Sequence, residues 1–173
     1  MTGLELSLRT VLVVVFGMAA ISKLSARRAL ADFAGSLGDI AWLRNRWRWV
    51  AAAAVPVAEV TTAALLLIPP TVTWGFAAAT VMLTVFSSVA AVEMRRGSGL
   101  RCRCFGSSSG QIGPVQLTRN ILLIAVSITG LAIAPVGHGG IGAAGLILAL
   151  APAMIAGVAL VRWDDLSALV RAS

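Results

Sequence analysis

Charge is scarce in this sequence: 12% of its 173 residues are Asp, Glu, Lys or Arg, where soluble domains carry about a quarter. With 58% apolar residues and a mean hydropathy of +0.92, the chain is excluded from the ordinary water-soluble class. Tyrosine is absent, histidine occurs once and cysteine twice, which is too few ligands for the four that tetrahedral zinc takes. Acidic residues number seven against fourteen basic ones, and in a soluble protein the net +7 would point to nucleic acid. Here the basic residues fall between apolar runs and not along one face, so they are read as topology signals, with no nucleic-acid partner. No Pro/Ser-rich linker and no shift in composition divides the chain, and residues 1–173 read as one domain.

What is present is long apolar runs. A bilayer core of about 30 Å takes roughly 20 apolar residues per helix. Five runs of that kind span 4–21, 47–68, 72–93, 115–135 and 141–161. The fold class that follows is all-α: a multi-pass transmembrane helix bundle of about five spans, with the lipid bilayer as its main partner. Val11 to Ala20 has the look of a short signal-peptide core, but Lys23, Arg27 and Arg28 follow it, and no A-x-A-like cleavage site intervenes. It is therefore read as the first span. Pro69, Pro70 and Thr71 make a tight hairpin between the second and third spans, and Gly137-His138-Gly139-Gly140 joins the last two. The long connections are 22–46 and 94–114. Of the fourteen Lys and Arg residues, Arg9 alone lies outside those connections, the adjoining starts of spans two and four and the carboxyl tail. An odd number of spans puts all three regions on one side, and the positive-inside rule makes that side the cytoplasm, with the amino terminus outside a plasma membrane. Pro56 and Pro152 interrupt spans two and five. Ala149, Ala153 and Gly157 recur every four residues, a small stripe that lets a neighbouring helix approach closely, although alanine-rich spans also produce it by composition alone.

The residues suited to chemistry cluster in Arg101-Cys102-Arg103-Cys104-Phe105-Gly106. Random placement puts two cysteines at this spacing roughly once in a hundred chains, so the pair has a purpose. A disulfide across so small a ring needs a bent backbone, which Gly106 and Ser107-Ser108-Ser109-Gly110 allow, and a strained bridge is labile and redox-active. Arg101 and Arg103 favour thiolate over thiol. The bland reading is two inert cysteines among topology-setting arginines. A two-coordinate soft ion such as Cu(I) is an alternative occupant of Cys102 and Cys104, while His138 reads as a solvated loop residue. Glu59 is the one carboxylate well inside a span, roughly 18 Å along span two, and a charge at that depth faces a cavity or a partner. Arg9, entering span one from the outer side, is the candidate partner. The pair serves either packing or proton and ligand handling. Arg119 and Asn120 open span four just after the cysteine loop, where the cation faces either the thiols or lipid phosphates. Trp42, Trp47 and Trp49 with Arg44, Arg46 and Arg48 form an ordinary interfacial anchor.

At these residues the sequence resembles the methylamine utilisation protein MauE family of DoxX-like integral membrane proteins. The match rests on Cys102-Arg103-Cys104-Phe105-Gly106 followed by Arg119-Asn120 at a helix start. Looser matches are Gly17 with Ser22-Lys23-Leu24, Pro56 with Glu59, and Arg96-Gly97. The resemblance implies a four-helix core plus one additional helix. It also implies a role in maturing methylamine dehydrogenase, whose small subunit is rich in disulfides, alongside a thioredoxin-like partner. On this reading Cys102 and Cys104 are the catalytic pair of a thiol-disulfide oxidoreductase, supported by Arg101, Arg103, Arg119, Asn120 and Glu59. A lipid quinone is a candidate electron acceptor, although no residue specifies it. Two alternatives stand beside it: a soft-metal (Cu or Hg) binder or transporter, and a non-catalytic membrane assembly factor. Maturation of a periplasmic substrate wants thiols outside, whereas the basic residues put the cysteine loop inside.

Overall fold

The computed structural model describes residues 3–25, 27–38, 45–96, 114–134 and 143–162, and among them every regular element is helical. The elements are α1 (Gly3–Leu24), α2 (Arg27–Gly38), α3 (Asn45–Leu67), α4 (Val72–Arg95), α5 (Pro114–Ile133) and α6 (Ala143–Val161). Four stretches are long and apolar enough to cross a membrane: Gly3–Leu24, Trp47–Leu67, Pro69–Arg95 and Gln116–Ile133. The fifth expected span is met by α6, whose apolar part, Ile147–Val161, is shorter. The protein is thus an all-α, multi-pass membrane protein.

Local chemistry explains the breaks. Ile68 precedes Pro69 and is extended (φ −93°, ψ 117°), because the proline ring crowds the helical conformation of the residue before it. The 3-10 turn Pro69–Thr71 follows, and Thr71 Oγ1 donates to the Leu65 carbonyl (2.9 Å) that the end of α3 leaves open and to the Ile68 carbonyl (3.1 Å), which also accepts the Thr71 N–H. Pro114 opens α5, where its missing N–H costs nothing. Pro56 lies inside α3 and removes the donor that the Ala52 carbonyl would otherwise take.

Helices α1, α3, α4 and α5 form a closed ring, each packed on the next and α5 returning to α1. Leu12, Val15, Phe16, Leu66, Phe76, Ala79, Leu83 and Leu123 fill its centre. Neighbours in the ring run antiparallel: Lys23 lies beside Glu59 on α1 and α3, and Thr80 beside Ser127 on α4 and α5. The Thr80 and Ser127 hydroxyls meet at 2.7 Å, and Ser127 Oγ also donates to the Phe76 carbonyl (2.8 Å), so these mid-span hydroxyls are satisfied inside the bundle. Gly130 permits the close approach of α5, since a Cβ there would fall 2.2 Å from the Phe76 ring.

Outside the ring, α6 packs on α1 through the small stripe read from the sequence: Ala149, Ala153 and Gly157 are buried, and a Cβ on Gly157 would lie 2.9 Å from Val14. Ser7 Oγ donates to the Ala149 carbonyl at 3.1 Å. Ser7 meets Ala149 and Val14 meets Gly157, so α6 runs parallel to α1. The outward surface is apolar, with Trp74 72%, Leu148 79% and Ile155 71% exposed. Hydrocarbon is the solvent such a surface requires.

Helix α2 was not expected, since 22–46 read as a connection. Leu30, Phe33, Ala34 and Leu37 repeat at helical spacing, but twelve residues are too few to register in a search for spans. Phe33 and Ala34 pack on Ala52, with Leu37 and Val55 beside them, while Arg28 and Asp32 face outward. Helix α2 therefore covers the first half of α3, which projects beyond the end of α1.

Candidate functional site

The most deeply placed ionic group lies where α1, α2 and α3 meet. Lys23 Nζ donates to Glu59 Oε1 at 2.7 Å, with the two side chains 2% and 1% exposed. The same ammonium donates to the Ala19 carbonyl at 3.2 Å and lies 5.3 Å from the centroid of the Phe33 ring. Three kinds of support thus converge on the cation: carboxylate, carbonyl and aromatic face. The carboxylate is supported less completely, because Glu59 Oε2 is buried and has no hydrogen-bond partner among the described residues.

Arg9 is not the partner of Glu59. It lies about 21 Å from Lys23 along α1, beside the other end of α3, where Nη2 donates to the Leu67 carbonyl. Antiparallel packing decides this: a partner for Glu59 must come from the last turns of α1, and Arg9 is in its first turns. Lys23 is the only lysine in the chain, and reading α1 and α3 as an antiparallel pair would have singled it out. Taking Lys23 for a loop cation hid it.

Arg119 and Asn120 are buried at the start of α5, and Asn120 Oδ1 has no hydrogen-bond partner among the described residues. Glu93 is buried near the end of α4, with Arg96 Nη1 at 4.0 Å. Because α4 and α5 are antiparallel, Glu93, Arg119 and Asn120 lie at the same end of the bundle as Lys23 and Glu59. Cys102, Cys104, Arg101, Arg103 and His138 lie outside the described residues. Arg96 and Pro114, the nearest described residues on either side of the cysteine segment, both stand at that end.

Comparison with known proteins supplies the context. The family model for methylamine utilisation protein MauE matches residues 1–133. Its boundary coincides with the end of α5, so the ring and α2 fall inside the match and α6 outside. The methylamine utilization protein MauE of Paracoccus denitrificans is 31% identical over 124 residues, 70% of this chain and 65% of its own length. That of Paracoccus versutus is 33% identical over 136 residues, 78% of this chain and 72% of its own length. The match to the first relative thus spans just under two thirds of that protein. No solved structure matches the chain significantly. A family match over α1 to α5, with two relatives about one third identical across most of the chain, shows that this protein belongs to the methylamine utilisation protein MauE family.

Proposed function

We propose that this protein is a membrane thiol-disulfide exchange factor of methylamine utilisation, acting in maturation of a disulfide-containing enzyme through Cys102 and Cys104. The observation that supports the reading is where the described flanks of the Cys-x-Cys segment, Arg96 and Pro114, stand. These flanks leave α4 and α5 at the one end of the bundle where Lys23, Glu59, Glu93, Arg119 and Asn120 are buried. Chain 1–173 acts as one domain. The cycle needs no group beyond the thiols and an acceptor. A thiolate of the client protein attacks the Cys102–Cys104 disulfide and forms a mixed disulfide, and a second client thiolate releases the client disulfide, leaving the dithiol. A lipid quinone then takes two electrons and two protons from the dithiol and restores the bridge. A thioredoxin-like protein is the kind of partner that would relay the exchange. Arg101 and Arg103 favour the thiolate that Cys102 or Cys104 becomes as the client's attack releases it, and Arg119 with Asn120 supports the loop from the start of α5. The amino terminus faces out and the loop faces the cytoplasm.

The test is a maturation assay with Cys102→Ser and Cys104→Ser variants, combined with labelling by an impermeant thiol reagent. Each variant is expected to abolish maturation, and one of them to trap a mixed disulfide. Labelling is expected in inverted vesicles and not in intact cells. Full activity in both serine variants refutes the redox role. Stoichiometric Cu(I) on wild-type protein and none on Cys102→Ser replaces it with metal binding.

A further inference from the structure

We propose that Glu59 Oε2 is a proton-binding site, beside the Lys23 ammonium that Phe33 covers, at which the carboxylate takes up and releases one proton while Lys23 stays bound to Oε1. The site stands independently of the cysteine chemistry, because it rests on groups of α1, α2 and α3 alone.

The ion pair is asymmetric in its hydrogen bonding. A buried pair is stable when both members have their remaining hydrogen-bonding capacity met. Lys23 meets this condition through Glu59, the Ala19 carbonyl and the Phe33 ring, and it stands in the last turn of α1, where the helix dipole favours a cation. Glu59 does not, since Oε2 is buried with no donor among the described residues. When a proton binds there, an O–H bond forms at Oε2, the carboxylate becomes a carboxylic acid, and Oε1 still accepts from Lys23. The positive charge left on the pair is the ammonium that carbonyl, ring and dipole already hold. Charge on the pair thus changes without a change of partner, which a symmetric, fully bonded pair could not do.

Among the described residues, the charged groups on the elements around this carboxyl can be named one by one. From α1 it is faced by Lys23. From α2 the ring of Phe33 covers that lysine, while Arg28 and Asp32 are on the exposed face. Helix α4 carries no ionisable residue between Val72 and Val92, and Glu93 follows only near its end. Arg119 on α5 is buried at the same end, and Arg9 is remote at the other. Pro56, on the same face of α3 one turn before Glu59, frees the Ala52 carbonyl beneath Phe33 and Ala34. A backbone acceptor is thereby placed between the carboxyl and the α2 end.

Infrared difference spectroscopy on the full-length protein in lipid, stepped in pH, tests the site. Wild-type protein with ¹³C-labelled glutamate is expected to show a carboxylic acid C=O band that the label shifts to lower frequency. The band is lost in Glu59→Gln, which keeps an acceptor for Lys23, and is displaced but retained in Glu59→Asp. In Phe33→Ala it exchanges with deuterium faster than in wild type. The chain has three glutamates, Glu5, Glu59 and Glu93, so assignment does not depend on one variant folding. The proposal is overturned if the labelled wild type shows no titrating glutamic acid band across the pH range in which it stays folded. It is equally overturned if the band survives Glu59→Gln, or disappears in Glu5→Gln or Glu93→Gln.

Discussion

Removing Lys23 alone should damage the bundle more than removing Lys23 and Glu59 together. In Lys23→Met, Glu59 Oε1 loses its 2.7 Å donor, and Oε2 has none among the described residues to compensate. A carboxylate stranded this way costs about 3–5 kcal/mol, roughly a factor of one hundred or more in the folding equilibrium. Glu59→Leu is milder, about 1–3 kcal/mol, because the ammonium keeps the Ala19 carbonyl and the Phe33 ring. The double variant replaces a buried pair by apolar side chains of similar volume and should return to within about 1.5 kcal/mol of wild type. The coupling energy is therefore expected to exceed about 2 kcal/mol. Ordinary hydrogen bonds between membrane helices average about 0.6 kcal/mol in the same kind of cycle, so the two cases separate cleanly. The assay is reversible unfolding in mixed micelles by titration with a denaturing detergent, followed by circular dichroism. A Lys23→Met cost below about 0.6 kcal/mol, or single effects that simply add in the double variant, would refute the claim that these two side chains form the central pair.

Three further outcomes follow from packing. Gly130→Ala places a methyl 2.2 Å from the Phe76 ring and should cost about 1–3 kcal/mol in the same unfolding assay, whereas Gly17→Ala, with nothing within 4 Å, should be neutral. Gly157→Leu puts a branched side chain where a Cβ already meets Val14 at 2.9 Å and should part α6 from α1 without unfolding the ring. A cysteine crosslink between positions 7 and 149, expected in the parent because Ser7 Oγ reaches the Ala149 carbonyl at 3.1 Å, should then fail. Arg9→Met leaves the Leu67 carbonyl without its donor at the end of α3 and should cost about 1–2 kcal/mol, with faster amide exchange confined to the α3–α4 turn.

The spans were legible because a length of about 20 apolar residues is a strong signal that needs no tertiary knowledge. The small stripe on α6 was legible for the same reason: Ala149, Ala153 and Gly157 share a face whatever that face touches. Helix α2 was not, because its apolar face is only four residues wide and its meaning comes from Ala52 and Val55 on another helix. The partner of Glu59 was misjudged for a related reason. Depth was measured from the ends of apolar runs, which placed Arg9 and Glu59 at comparable levels, while the run ends do not report how far α3 projects past α1. Beyond the expected end at residue 21, α1 continues as a regular helix through Lys23 to Leu24, and that extension brings the ammonium to the carboxylate.

The same extension bears on orientation. Counting every Lys and Arg as a topology signal treats Lys23 and Arg119 like Arg28, Arg95, Arg96 and Arg162, yet the first two are buried in the bundle and the other four are exposed. A cation neutralised by Glu59 gives the membrane little to sense, so the orienting force should come from the exposed group. These arginines can act together because α1, α4 and α6 run in one direction and end on one face, which puts the starts of α2 and of both later basic segments there. Replacing Arg28, Arg95 and Arg96 by Ser should therefore yield a mixed orientation in reporter fusions at the carboxyl terminus. Lys23→Met should leave orientation uniform while destabilising the fold. If Lys23→Met inverts a fraction of the molecules and the arginine replacements do not, the ammonium is sensed before it pairs, and the pair must form only after the spans are in place.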